Sequence, residues 1–206
     1  EGMGFVEANN LLVIEAADIL RRRGLPLRPV EPAWLARSLK CRMEAVPAEL
    51  LARACTVPPL AVYLDVGHNP QAMAAFLATL ALRHPGAELC VVYGTSSQKD
   101  AQAALAEVAT RVSEVTLVEA RSPRAKSVEA LRAEAAGLPL ACRVVAGGEV
   151  TATLRAVFAE KAVRERVVAV CGSFFIMEEA RVFFGFDDPH DPFFLNELSL
   201  LPPPPA

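Results

Sequence analysis

The stretch from Leu60 to Leu82 constrains the fold of this chain more than any other. It opens with the apolar run LAVYL, whose residues favour strands, and Asp65 ends that run. Asn69 is a typical helix N-cap, and Pro70 suits the first helical position, where no backbone N–H is needed. Apolar side chains then recur at helical spacing, at Met73, Phe76, Leu77 and Leu80. The pattern predicts a strand, a turn and a helix, with an acid at the carboxyl end of the strand, where open α/β sheets bind ligands.

The same alternation of strand and helix continues to residue 185. Further strands are predicted at residues 88–93, 114–119, 141–145 and 166–171, and each is followed by an amphipathic helix. Asp100 and Ser127 are the predicted N-caps of two of these helices. We therefore expect an α/β fold, a doubly wound and mostly parallel sheet of Rossmann-like type with helices on both faces.

The two ends of the chain read differently. Residues 1–57 predict a helical N-terminal appendage, with helices at 10–23, near Pro32 and near Pro47 and a possible short strand at 41–46. Residues 186–206 have no clear periodicity and close on four prolines, which favours a tail. The predicted division is 1–57, 58–185 and 186–206.

Composition excludes several classes of function. The formal net charge is −3 and no basic block is present, which argues against a nucleic-acid or anionic-membrane surface. No apolar run reaches the roughly 18 residues of a membrane span. The five cysteines are widely spaced and form no C-x-x-C pair, so we expect buried free thiols rather than a zinc or redox motif. His68 has no second His or Cys nearby, so no metal site is predicted.

The turn D-V-G-H-N-P at 65–70 resembles the signature that opens the C-terminal domain of folylpolyglutamate and dihydrofolate synthases, relatives of the Mur ligases. Three later segments match that family in order, at 93–100, 122–125 and 170–174. The resemblance implies a Mur ligase C-terminal domain from an ATP-dependent ligase. Such a ligase uses ATP and Mg²⁺ to add L-glutamate to a folate or dihydropteroate carboxylate through an acyl phosphate.

The sequence contains no G-x-x-x-x-G-K-[ST] motif. In the family, that P-loop and most magnesium ligands belong to an N-terminal domain. We therefore expect this chain to hold the end of the central domain and the C-terminal domain, to partner its own P-loop domain, and to be inactive alone. We also expect a cytoplasmic monomer, with a mitochondrial location as the alternative. The sequence does not separate the two synthase activities.

The resemblance implies an ATP-binding role for Asp65, Arg42 and Asn10. The alternative for Asp65 is a cap of its own turn through an Asx-type bond, and the alternative for Arg42 is a solvated surface residue. Cys41 stands where the family has glycine before the arginine. Asn10 and its neighbour Asn9 are also candidate helix caps.

Glutamate binding is assigned to Arg124, Ser173 and His68. A guanidinium can grip a carboxylate bidentately, and a serine at a helix N-terminus offers a hydroxyl beside free backbone N–H groups. His68 is the catalytic candidate, as the group that orients glutamate or the phosphate end of ATP. The alternatives are a solvated basic loop, an ordinary N-cap and a turn histidine. Because parallel strands put their turns at one edge, we expect the three residues to line one cleft.

A second function of another class remains open, a non-catalytic nucleotide-binding or interaction module that lacks a P-loop partner domain. A flavodoxin-like receiver domain is a third possibility. It predicts an acidic cluster at the end of the first strand, and Asp65 has no acidic neighbour there.

Overall fold

The computed structural model describes residues 5–31, 40–139, 141–160 and 164–187. Six strands and seven helices are defined in these ranges. The strands are β1 Glu44–Ala45, β2 Ala61–Asp65, β3 Glu88–Tyr93, β4 Glu114–Glu119, β5 Arg143–Glu149 and β6 Arg166–Cys171. The helices are α1 Phe5–Arg22, α2 Ala48–Ala54, α3 Pro70–Arg83, α4 Ala101–Ala109, α5 Val128–Ala136, α6 Val150–Ala159 and α7 Phe174–Phe184.

The strands form one sheet in the order β1-β2-β6-β3-β4-β5. All neighbouring pairs are parallel except β1 and β2, which are antiparallel. Cys171 at the end of β6 is level with Asp65 on one side and with Tyr93 on the other. The turns that follow β2, β6 and β3 therefore lie side by side at one edge of the sheet.

Helices cover both faces of the sheet, as expected for a doubly wound fold. On one face α3, α4 and α5 pack on strand residues that include Val91 and Val167. On the other face α2, α6 and α7 pack on the intervening strand residues, including Val92 and Val168. Because successive strand side chains point to opposite faces, apolar runs without alternation predict a sheet that is buried on both sides. The mostly parallel α/β fold is confirmed.

Four helices begin where the capping residues predict. Asn69, Asp100, Ser127 and Ser173 each accept a backbone N–H from the first turn of the following helix. These bonds satisfy N–H groups that have no partner within the helix.

The short strand predicted at 41–46 is present as β1, a two-residue sixth strand on β2. One strand differs from the prediction. β5 starts at Arg143 and runs on through Gly147 and Gly148 to Glu149, where the sequence pattern predicted a strand ending at residue 145. A register irregularity between β4 and β5 accompanies the extension. A Cβ at Gly147 would lie 2.7 Å from the carbonyl oxygen of Leu117, so glycine allows the close pairing of the two backbones.

The N-terminal appendage is partly described. The helix predicted at 10–23 corresponds to α1, which starts earlier, at Phe5, and ends at Arg22. The helix near Pro32 and the tail from residue 188 lie outside the described residues. Cys41, Val46, Leu51 and Cys55 are buried in the same core as α7. Residues 41–55 thus pack on the sheet, and the division at residue 57 stays a prediction.

All five cysteines are free thiols, and four of them are buried while Cys142 is half-buried. None of the helices in the described ranges is both long and apolar enough to cross a bilayer.

Candidate functional site

Asp65 lies at the carboxyl end of β2 and is only 2% exposed. Its Oδ1 accepts the N–H of Gly67 at 2.7 Å, which is the Asx-type bond of a turn cap. Its Oδ2 accepts the N–H of Met43 at 2.9 Å, across 22 residues of sequence. Burial raises the pKa of the Asp65 carboxyl, against the opposing effect of these two N–H groups and of the Arg42 charge. The carboxylate therefore joins two turns, and its contact with ATP stays a prediction.

The turn that Asp65 holds carries Arg42. Its neighbours Cys41 and Met43 have φ angles of 54° and 47°, and they are the only non-glycine residues with positive φ in the described ranges. Left-handed backbone favours glycine, which explains why a glycine suits position 41. The exposed Arg42 places its guanidinium carbon 5.9 Å from the centre of the Phe174 ring.

A buried ion pair lies beneath this turn. Arg181 in α7 is 4% exposed, and its Nη1 donates to both carboxylate oxygens of Glu44 at 2.5 Å. The Oε2 of Glu44 also accepts the backbone N–H of Cys41 at 2.7 Å. Burial and the nearby Glu44 carboxylate raise the pKa of the Cys41 thiol to about 12, so this thiol stays protonated.

Gly172 and Ser173 form the turn between β6 and α7. Gly172 has φ 117°, and a Cβ there would lie 2.5 Å from the carbonyl oxygen of Gly94 and 2.7 Å from the Tyr93 ring. Ser173 is 8% exposed, and its Oγ accepts the N–H of Phe175 at 3.3 Å. The N-terminus of α7 thus opens at the edge of the sheet next to the turn that follows Asp65.

Arg124 lies in the loop after β4, with its guanidinium carbon 5.2 Å from the centre of the Phe175 ring. The loop is fixed by backbone bonds to the loop after β3, since Arg124 accepts from Ser97 and Lys126 donates to Thr95. The buried Lys126 ammonium donates to the carbonyl of Lys99 at 2.9 Å and to Glu134 at 2.5 Å. A locked loop therefore holds the Arg124 side chain against the first turn of α7.

His68 is half-exposed in the turn between β2 and α3. Its Nδ1 lies 3.2 Å from the carbonyl oxygen of Val66. A carbonyl oxygen can only accept, so Nδ1 carries a proton and Nε2 faces away from this bond. This orientation fits the turn histidine, and it leaves Nε2 as the nitrogen for any ligand.

The structure thus brings several predicted residues to one edge of the sheet. Asp65, His68 and Ser173 follow neighbouring strands, and Arg124 reaches the same helix N-terminus from β4. Asn10 lies farther back in the chain on α1, a helix that packs against α3. Its predicted role at ATP stays a prediction, as do the ligand contacts of the other residues.

The sequence pattern did not indicate Glu44, Arg181, Phe174 or Phe175. One signal was present for Arg181, because this cation stands in the apolar stripe of α7 that includes Met177 and Phe184. Its partner could not be read from the sequence, since Glu44 is 137 residues away. Phe174 is 42% exposed, although large apolar side chains at the start of a helix are more often buried.

No group of three His, Cys, Asp or Glu side chains in the described ranges could hold a metal ion. The edge of the sheet instead combines two guanidinium groups with a helix N-terminus. Both are features that bind anions, such as carboxylates and phosphates.

Several solved structures match this chain, and the two described first are each 26% identical to it. The chain matches a Mycobacterium tuberculosis folylpolyglutamate synthase complexed with ADP and AMPPCP with a TM-score of 0.58, covering 74% of this chain and 34% of that one. It matches a bifunctional folylpolyglutamate/dihydrofolate synthase from Yersinia pestis with a TM-score of 0.59, covering 80% of this chain and 36% of that one. A structure of the Yersinia pestis protein with AMPPNP and Mn ion is 24% identical and shows the same fold, with a TM-score of 0.60 over 80% of this chain and 36% of that one.

This chain thus spans about a third of the length of these solved structures. A search of curated proteins found no match. The family model described as Mur ligase, glutamate ligase domain, matches residues 42–174. These residues include Arg42, Asp65, His68, Arg124 and Ser173 but not Asn10. The chain therefore belongs to the Mur ligase family and contains its glutamate ligase domain.

Proposed function

We propose that this chain is the C-terminal part of an ATP-dependent ligase that adds L-glutamate to a folate or dihydropteroate carboxylate through an acyl phosphate. The family membership and the likeness to folylpolyglutamate synthases support this assignment. The other part of the ligase supplies the P-loop. The chain alone is then expected to have no ligase activity, because the cradle for the phosphates is elsewhere.

The position of Arg124 is the observation that carries the proposal. Its guanidinium lies against Phe175 in the first turn of α7, beside the Ser173 cap. A glutamate carboxylate at this point would meet a cation and the positive end of a helix dipole. The amine must stay uncharged to attack, so carboxylate donors are what a glutamate site needs, and His68 from the neighbouring turn orients the incoming group.

Nucleotide binding falls to Asp65, Arg42 and Asn10 in this proposal. The exposed Arg42 guanidinium on Phe174 suits a phosphate or an adenine ring, since arginine both pairs with anions and stacks on aromatic groups. The described residues offer no converging carboxylates for magnesium, so we assign no metal ligand to them. Mg²⁺ would accompany ATP from the P-loop side.

Replacing Arg124 tests the glutamate assignment. In the full-length ligase, Arg124→Ala is expected to weaken the use of glutamate by about 2–4 kcal/mol in kcat/KM, because the glutamate carboxylate loses its charged partner. The KM for ATP should stay nearly unchanged. The measurement is steady-state ADP release with glutamate and ATP varied separately.

Arg121→Ala is the matched control. Arg121 lies in the same loop as Arg124, but its guanidinium does not lie on the Phe175 ring. It pairs with Glu149 and lies 3.9 Å from Glu179. This control should leave glutamate use unchanged. Equal losses in the two variants, or an unchanged glutamate KM in Arg124→Ala, would remove Arg124 from the site. Nucleotide binding without glutamate transfer in the full-length protein would favour the non-catalytic module instead.

A further inference from the structure

We propose that Glu44 and Arg181 are positioning residues that hold Arg42 in the orientation in which it meets the nucleotide. The inference rests on the proposed function, in which Arg42 contacts ATP. Neither Glu44 nor Arg181 needs to touch a ligand, because both act on the backbone of the turn that carries Arg42.

The backbone on both sides of Arg42 is unusual. Cys41 and Met43 are left-handed, with φ angles of 54° and 47°. Side chains with a Cβ rarely adopt this conformation, and such residues persist only where surrounding contacts determine the backbone strongly. If those contacts were lost, the backbone of this turn would leave its left-handed conformation. The direction of the Arg42 side chain would then change as well.

Two carboxylates supply those contacts. Glu44 Oε2 accepts the N–H of Cys41 at 2.7 Å, and Asp65 Oδ2 accepts the N–H of Met43 at 2.9 Å. The carbonyl of Cys41 accepts the N–H of Val66 at 2.9 Å. Each left-handed residue is thus held by a charge-assisted hydrogen bond, the stronger class of such bonds.

Arg181 fixes the Glu44 carboxylate from below. Its Nη1 bonds to both oxygens of Glu44, and the arginine is 4% exposed. Arg181 belongs to α7, the helix whose first residue, Phe174, lies under the Arg42 guanidinium. One helix therefore holds both the base of the turn and the ring against which Arg42 rests.

The paired replacement Glu44→Met with Arg181→Met separates positioning from folding. Exchanging a whole buried ion pair for apolar residues of similar volume is often neutral for stability, whereas removing one partner leaves a buried charge. The paired variant also removes the acceptor of the Cys41 N–H. In the full-length ligase we expect the melting temperature to fall by only a few degrees, because a single buried N–H loses its acceptor. We expect the ATP KM to rise about tenfold, which corresponds to about 1.4 kcal/mol, with kcat little changed.

Arg42→Ala and the triple variant complete the cycle. If the pair acts through Arg42, Arg42→Ala also raises the ATP KM, and the triple variant is no worse than Arg42→Ala alone. Additive effects would overturn the inference, because the pair would then act on the nucleotide without Arg42. Glu49→Gln, an exposed glutamate near the turn in sequence, is the control and should leave the ATP KM unchanged.

The outcomes distinguish this inference from the proposed function. An ATP KM raised by Arg42→Ala but unchanged in the paired variant overturns the positioning role and leaves nucleotide binding by Arg42 intact. An unchanged KM in Arg42→Ala removes Arg42 from the ATP site and the positioning role with it. Should the paired variant fail to fold, Glu44→Gln gives the same test. Glutamine removes the negative charge and sets an NH₂ donor against the Arg181 Nη1, which now bonds to both oxygens of Glu44. An unchanged ATP KM in Glu44→Gln overturns the inference.

Discussion

At the scale of single residues, Asp65 differs from an ordinary acid at the end of a strand because each of its oxygens faces a backbone N–H. An asparagine has almost the same shape, but one of its positions is an NH₂ group that can only donate. It would set a donor against the N–H of Gly67 or of Met43. An asparagine at position 65 would therefore keep the shape of the side chain but lose one buried hydrogen bond.

Asp65→Asn is expected to lower the free energy of unfolding by about 1–3 kcal/mol, the cost of leaving a buried donor unpaired. Urea denaturation of the 206-residue chain measures this. Asp100→Asn is the control, because Asp100 accepts a single N–H as an exposed N-cap and asparagine caps equally well. Similar losses in the two variants would show that Asp65 does no more than cap its turn.

Cys41 gives a second prediction at this scale. Cys41→Gly and Cys41→Ala both remove the buried thiol, but only glycine is free of strain at φ 54°. We expect the glycine variant to be the more stable by about 1 kcal/mol. Thermal unfolding of the two variants side by side measures the difference, and an alanine variant of equal or greater stability would contradict the prediction.

The sequence predicted the role of a residue where that role depends on partners close by in the sequence. Asn69, Asp100 and Ser173 are caps because each bonds to an N–H two or three residues ahead, and that geometry follows from local spacing. Glu44 could not be predicted, because its partner Arg181 is brought to it only by the completed sheet and the packing of α7.

At the scale of elements, the corner between β6 and α7 depends on Gly172. Its φ of 117° and the nearby carbonyl of Gly94 leave no room for a side chain. Gly172→Ala is expected to lower the free energy of unfolding by more than 1 kcal/mol, because alanine would be strained there and would also collide with Gly94 and Tyr93.

Gly148→Ala is the matched control for this element. Gly148 lies at the end of β5, and a Cβ there meets nothing within 4 Å. Its replacement should change the midpoint of urea denaturation far less than Gly172→Ala. Equal shifts would mean that the corner tolerates a side chain by moving β6 relative to β3.

For some strands the local sequence pattern is enough to predict where the strand begins and ends. β3, β4 and β6 have the predicted bounds, because each is a continuous apolar run between turn signals. β5 lies at the edge of the sheet and includes two glycines, and its pairing with β4 depends on the irregular register near Leu117. That register is a property of two strands together, so the sequence of one of them does not indicate it.

At the scale of the whole molecule, α1 stands apart from the sheet. Leu11, Leu12 and Val13 are 52%, 68% and 51% exposed, so this helix buries little apolar surface against the remainder of the described chain. We propose that residues 1–39 are dispensable for the folding of the sheet. A chain starting at Lys40 is expected to keep its melting temperature within a few degrees, as measured by circular dichroism. A large drop, or loss of cooperative unfolding, would place α1 within the folding unit.

The strand order also sets when the domain can fold during its synthesis. Among the described strands β6 is the last to leave the ribosome, yet it lies between β2 and β3, which do not pair with each other. A nascent chain that ends before Arg166 therefore holds β2 on one side and β3 to β5 on the other, with the central position empty. Each fragment exposes an unpaired strand edge, the kind of surface on which partly folded chains associate. Only β6 joins them, so the sheet is exposed to aggregation until β6 has been synthesised.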